Sequence, residues 1–202
     1  MAACRSRLNL LAEKYSVSTE RSTEVELESI PAELQGRLVI KVEKAKTVEL
    51  VDRALELTNK EPQYRIPWIV FDRDQVQDFD NIIQSAEKSG VSAGWSNPCF
   101  EIWMYAYFGE MPAIQESYTC CERFAEKFKQ VTGQQYFKKD KDIYRKLVQY
   151  GDEKKAIQTA ERSCKKCVDD GKKKPSEMWP ACMVQRLVEE IQRKAGREYS
   201  EK

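Results

Sequence analysis

The sequence predicts an α/β protein, with a mostly parallel sheet flanked by helices and an α-helical carboxyl-terminal extension. Three observations predict it. Strand-like and helix-like segments alternate between Arg37 and Trp95, and nearly every segment beyond Pro98 has helical periodicity. A chain of 202 residues that is 41% apolar and 10% aromatic can also bury a real core.

A short helix is expected around Arg5 to Tyr15, then a polar Ser/Thr/Glu-rich loop over residues 16 to 36 that includes Pro31 and Gly36. LVIKV (Leu38 to Val42) alternates like a strand, and Val48 to Thr58 puts Val51, Ala54 and Leu55 on one helical face. Pro62 and Pro67 bracket a loop. WIVF (Trp68 to Phe71) is a continuous apolar run, the pattern of a central strand buried on both faces. Asp78 to Ser89 reads as a helix with Phe79, Ile82, Ile83 and Ala86 on one face; Gly90 closes it, and VSAGW (Val91 to Trp95) supplies another short strand.

Five further helices are expected: Phe100 to Phe108, Ile114 to Val131, Lys141 to Tyr150, Asp152 to Asp169 and Glu177 to Ala195. Pro112, Gly133, Gly151, Gly171, Pro175 and Gly196 separate or end them. The last carries an apolar stripe of Met183, Val184, Leu187, Val188 and Ile191, suited to packing on the sheet or on neighbouring helices. No fixed-period repeat is present. A boundary near Gly109 to Ile114 divides a sheet domain, residues 1–110, from a helical extension packed on it, residues 111–202.

Lys and Arg number 34 against 33 Asp and Glu, which with the apolar content excludes a disordered chain. The longest apolar stretch, Ile102 to Phe108, falls far short of the roughly eighteen residues that span a bilayer, and Met1 to Glu20 has no apolar signal core. A cytoplasmic protein with no membrane partner is expected. Residues 1–120 hold 13 basic and 19 acidic side chains, and residues 121–202 hold 21 and 14. That polarity suits an acidic metal site beside a phosphate-binding surface, and equally suits helices that carry lysines for solubility.

Seven cysteines without a secretory signal point to reduced thiols rather than a disulfide framework. Histidine is absent, which removes His-based acid/base catalysis, His-activated nucleophiles and Cys/His zinc sites. Chemistry must rest on carboxylates, Lys, Tyr, Cys or a metal.

WIVFDRDQ (Trp68 to Gln75) delivers Asp72 and Asp74 to the carboxyl end of a buried strand, where ligands bind in open α/β sheets. Two carboxylates at i and i+2 can share Mg²⁺ or Mn²⁺; alternatively they are turn or capping residues. In SNPCFEIW (Ser96 to Trp103), Ser96 and Asn97 form a turn that can cap amides, while Phe100, Ile102 and Trp103 look packed. Glu101 among them either favours the helix dipole or reaches back to the Asp72/Asp74 site as ligand or general base.

FKKDKDIYRK interleaves Lys138, Lys139, Lys141, Arg145 and Lys146 with the aromatic residues Tyr136, Phe137 and Tyr144. That pattern suits phosphates and unpaired bases, or a solvated helix start. Lys172 to Lys174 is similar but falls in an expected loop. Cys164 and Cys167 form the only CxxC, on one apolar face with Ile157 and Ala160, which reads as burial rather than zinc or redox chemistry. A four-thiolate site with the adjacent Cys120 and Cys121 matches zinc ribbons poorly.

Together WIVFDRDQ and SNPCFEIWMYAYF resemble the RloB-like family, whose members carry a DRD strand followed by an SNPCFE-type segment. The similarity continues through QYFKKDKDIY (Gln135 to Tyr144), AIQTAERSC (Ala156 to Cys164) and KPSEMWPACMVQRLVEEI, over residues 38 to 192. RloB-like proteins resemble the TOPRIM superfamily of topoisomerase, primase and OLD-type nuclease domains, and are associated with prokaryotic restriction and phage-defence loci. The resemblance implies a TOPRIM-like fold and a Mg²⁺- or Mn²⁺-dependent nuclease acting on DNA or RNA, tRNA included, in phage defence by abortive infection. Asp72 and Asp74 match the metal-binding DxD; Glu101 would complete or orient the site. Ser96 and Asn97 would shape the adjacent loop, and Lys138, Lys139, Lys141, Arg145 and Lys146 would hold the phosphate backbone. A defence-system ATPase and a second copy of the chain are candidate partners.

The chain departs from that family pattern at one point. RloB-like sequences open with a strand ending in an EGxxTE-type segment, whose glutamate completes the site, and residues 1–37 contain none. Taking Glu43 in VIKVEKAKT as that carboxylate leaves room for only one crossover before Asp72, so Leu38 to Val42 matches the family's second strand better. A first strand lost by truncation or a misplaced start, or a divergent incomplete site, is expected. The alternative function is then a catalytically incomplete nucleic-acid-binding or sensing subunit of a defence complex. A nucleotidyl- or phosphotransferase is a third reading, because a DxD site does not by itself choose hydrolysis over transfer.

Overall fold

The computed structural model describes residues 47–60, 66–74 and 76–194. The expected helix at residues 5–15, the loop at 16–36, the strand Leu38 to Val42 and Glu43 all lie outside the described residues. A 3₁₀ turn at Thr47–Glu49 leads into α1 (Leu50–Lys60), which turns Val51 inward. β1 (Trp68–Asp72) buries Ile69, Val70 and Phe71, as a strand covered on both faces must. α2 (Phe79–Lys88) buries Phe79, Ile82, Ile83 and Ala86, the stripe its spacing predicts, and Gly90 follows with φ +72°, a conformation glycine adopts without a Cβ clash.

β2 (Ser92–Asn97) runs parallel to β1, in register from Trp68 opposite Ser92 to Asp72 opposite Ser96. The helices that follow are α3 (Glu101–Ala106), α4 (Ser117–Thr132), α5 (Ile143–Tyr150) and α6 (Glu153–Asp169). Asp152 caps α6 by accepting from the Lys155 amide at 3.0 Å, the local bond its position predicts. α4 starts at Ser117 rather than Ile114, because Met111 to Glu116 is non-helical and Ile114 is spent on the core.

The expected helix from Glu177 to Ala195 is corrected. Residues Pro175–Glu177 form a 3₁₀ turn, Ala181–Cys182 form a short strand β3, and only Val184–Lys194 is the helix α7. Pro180 has no N–H to give a helix, and the backbone beyond it pairs with β2 instead: Ala181 lies opposite Asn97 and Cys182 opposite Ser96. That pairing is antiparallel, so among the described residues the sheet is mixed, in the order β1-β2-β3, with the parallel β1–β2 pair as its larger part. The structure is α/β, a small sheet flanked by helices. The third strand comes from the carboxyl-terminal part of the chain.

Two apolar clusters sandwich the sheet. On one side Ile69, Phe71 and Trp95 meet Phe79 and the rest of the α2 stripe, with Phe71 and Trp95 set edge-on to Phe79 at 5.2 and 5.8 Å. Cys164 and Cys167 are buried in this cluster, as their helical spacing predicts. On the other side Val70 joins α3, Phe124 and Phe128 of α4, Leu147 of α5, Ala156 and Ile157 of α6, and the apolar stripe of α7.

The turn between α5 and α6 is drawn tightly onto the end of α3. The Asp152 amide donates to the Tyr107 carbonyl at 3.0 Å, and a Cβ on Gly151 would stand 2.7 Å from that same oxygen.

Candidate active site

The carboxyl ends of β1 and β2 lie side by side because the two strands are parallel. Asp72 closes β1 opposite Ser96, and residues paired in register point to the same face. The next amides tie the two strand exits together: Arg73 N donates to Ser96 O and Asp74 N to Pro98 O, both at 2.9 Å. Asp74 takes a positive φ of 28°, uncommon for a residue with a Cβ and a mark of a tight exit from the strand. The Asn97–Pro98 peptide is cis.

Beyond β1 the chain leaves a cleft of about 340 Å³ lined by Arg73, Asp74, Val76, Phe79, Asp80 and Ser176. Ser176 comes from the 3₁₀ turn before β3 and is locked to α2: its amide and hydroxyl donate to the two oxygens of Asp80 at 2.8 and 2.5 Å. Asn97 holds the same turn from the sheet side, its Nδ2 donating to Pro175 O at 3.0 Å and Ser176 O at 3.2 Å. Ser96 Oγ and Asn97 Oδ1 are buried without a hydrogen-bond partner among the described residues. Asp80 and Ser176 were not singled out by the sequence. Asp80 could have been found from its place in the first turn of α2, whereas nothing local marks Ser176, 96 residues away.

The expected site residues therefore divide. Asp72 and Ser96 meet at the strand ends; Asp74 reaches the cleft, and Asn97 anchors its far wall. Asp72, Asp74 and the buried Ser96 hydroxyl, which has no partner among the described residues, offer oxygen donors that could hold a hard cation such as Mg²⁺ or Mn²⁺.

Glu101 lies just beyond the Pro98 loop that meets Asp74. It is 2% exposed at the start of α3, and its Oε1 accepts from the Tyr136 hydroxyl at 3.1 Å, with Lys138 Nζ at 3.6 Å. The Cys99 and Cys121 sulfurs, 3.9 Å apart, gather with it in one cluster. Hydrogen bonding with Cys120, burial and the nearby Glu101 carboxylate push the Cys99 thiol far above its usual range. Cys121 is pushed up by its bond with Cys99, by burial and by Glu101.

In the basic segment, Lys138, Lys139, Lys141 and Arg145 are exposed, while Lys146 is half-buried. Lys146 pairs with Asp140 at 2.7 Å and Arg145 with Asp142 at 3.1 Å, so part of its charge is met internally. The aromatic interleaving is mostly structural: Tyr136 packs edge-on against Phe124 at 4.9 Å, and Tyr144 is buried with its hydroxyl on Glu153. Phe137, 58% exposed, is the aromatic of this segment that faces solvent.

A small mixed sheet flanked by helices, with Asp72 ending β1 and Asp74 lining the cleft beyond it, makes this an α/β protein. The chain belongs to the RloB-like protein family, whose model matches residues 15–191. No curated protein matches the chain, and no solved structure does. Among the described residues no helix is long and apolar enough to cross a membrane.

Proposed function

We propose that this RloB-like protein is a TOPRIM-type, Mg²⁺- or Mn²⁺-dependent nuclease that cleaves DNA or RNA in phage defence. One observation carries the reading: Asp72 and Asp74 leave a buried parallel strand beside a cleft, next to a buried hydroxyl at Ser96 that has no partner among the described residues. Asp72 and Asp74 would hold the cation, which when bound polarises a phosphoryl oxygen and acidifies a water.

The remaining roles fall to the chain's own side chains. Arg73, lining the cleft beside Asp74, supports a phosphate there. Asn97, Ser176 and Asp80 hold the cleft wall rigid, so the scissile group meets a fixed frame. Lys139 and Lys141, both exposed, would track the phosphate backbone, and Phe137 would stack on an unpaired base. Glu101 contributes by seating the basic segment through Lys138, at the start of α3.

The test is cleavage of plasmid, single-stranded DNA and total tRNA with Mg²⁺ or Mn²⁺, comparing the chain with Asp72→Ala/Asp74→Ala. Metal-dependent cleavage lost in the variant supports the nuclease. Folded protein that binds nucleic acid but cuts none replaces it with the sensing-subunit reading.

A further inference from the structure

We infer that Cys99, Glu101 and Cys121 form a metal site selective for a thiophilic divalent cation of the Zn²⁺ type. The three side chains come from three pieces of the fold: the loop after Pro98, the first turn of α3 and the first half of α4. Their ligand atoms all lie within 4.8 Å of one another.

The spacing can accommodate a metal. Two sulfurs bound to tetrahedral Zn²⁺ at about 2.3 Å each stand roughly 3.8 Å apart, and Cys99 Sγ and Cys121 Sγ are 3.9 Å apart.

Charge points the same way. Two thiolates and a carboxylate carry three negative charges, which a divalent cation and the Lys138 ammonium, 3.6 Å from Glu101, together neutralise. Tyr136 donates to the same Glu101 oxygen at 3.1 Å, the outer hydrogen bond by which ligating carboxylates are commonly oriented. Its two thiolates favour a Zn²⁺-type cation, whereas the carboxylates of Asp72 and Asp74 favour Mg²⁺.

Three protein ligands leave a fourth position for water, and Cys121 is only partly buried, which gives the ion a way in. Bound there, the cation ties α4 to the loop whose Pro98 carbonyl accepts from both Asp74 N and Ser117 Oγ, and so braces the strand exit. The inference does not depend on nuclease activity.

The chain is stripped with a chelator under reducing conditions, dialysed against Zn²⁺, and its bound metal counted. Alkylation mapped by mass spectrometry then reports which thiols the metal protects. One zinc per chain is expected, with Cys99 and Cys121 protected. Co²⁺ in its place should give sulfur-to-metal charge-transfer absorption in the near ultraviolet. Cys121→Ser should lose the zinc and that absorption while Cys167→Ser keeps both, and Zn²⁺ should raise the Tm of the parent but not of Cys121→Ser. Zinc absent from the folded parent, zinc that protects other thiols, or zinc retained at full stoichiometry by Cys121→Ser would overturn the assignment. The parent's protection pattern needs no variant to fold.

Discussion

The Tyr107 hydroxyl donates to the Glu153 carboxylate at 3.0 Å, joining the end of α3 to the start of α6 across 46 residues of sequence. Tyr144 of α5 donates to the same oxygen at 3.0 Å and Gln192 of α7 to the other at 2.6 Å. One buried carboxylate thus gathers donors from three other segments of the helical layer. Such a group is costly to disturb, because its neighbours were desolvated on the assumption of an acceptor.

Glu153→Ala should therefore destabilise the protein by about 3 kcal/mol, and Tyr107→Phe by roughly 1 kcal/mol. Urea unfolding of both variants checks it. Equal and negligible losses would show that the network does not couple the helices.

Two glycine substitutions should differ for a reason visible in their surroundings. An added Cβ at Gly151 meets backbone oxygens of Tyr107 and Leu147 at 2.7 and 2.8 Å, which cannot swing aside. At Gly133, φ +72°, it meets nothing within 4 Å. Gly133→Ala should cost about 1 kcal/mol from backbone strain alone, and Gly151→Ala about 1–3 kcal/mol from the clash. Thermal melts of the pair should rank Gly151→Ala lower.

Stability should fall at alkaline pH. Burial holds the Cys182 thiol far above its usual range, and Cys164 is raised by the same cause. In the unfolded chain both ionise above about pH 8.5, while in the folded chain Cys182 stays protonated, so the folded state binds more protons there. The unfolding free energy should then drop by about 1.4 kcal/mol per pH unit for Cys182, and Cys164 should act in the same direction. Denaturation series between pH 7 and 10 measure the slope, which Cys182→Ala should make shallower.

If the basic segment holds nucleic acid, Lys139→Ala/Lys141→Ala should weaken binding and lower the salt slope by about 2. Arg145→Ala should matter less, because Asp142 already pairs with that guanidinium. Fluorescence anisotropy across a salt series separates the two.

At the strand end, Asp72→Ala/Asp74→Ala should reduce metal-dependent cleavage by roughly 100-fold or more, the scale on which loss of a transition-state stabilising group acts. Asp74 is exposed, so Asp74→Ala alone should leave the melting curve close to the parent's. Circular dichroism confirms that point before any assay.

The helices and the parallel pair were legible because each obeys a local rule. WIVF is apolar throughout since both faces of β1 are covered; the α2 stripe repeats at helical spacing; Asp152 and Gly90 sit where a cap and a helix stop are needed. The DRD segment likewise located Asp72 at a strand end, whereas Ser96 and Asn97, expected in a turn, are the last two residues of β2 because they pair with Cys182 and Ala181; the two segments together carried the family resemblance. β3 escaped because its two residues have no period to read, and its pairing partner lies about eighty residues earlier.

Composition and periodicity by themselves determined the α/β class and most of the helices, and two short motifs carried the resemblance to the RloB-like family. Tertiary structure alone decided that Ala181–Cys182 completes the sheet, and that Ser176 walls the cleft with Asp80. It also decided that Glu101 keeps company with Cys99 and Cys121. The physical reason is range. Capping and amphipathic burial act within a turn or two of chain, whereas shared hydrogen bonds and ligand spacing arise only when distant segments are packed against one another.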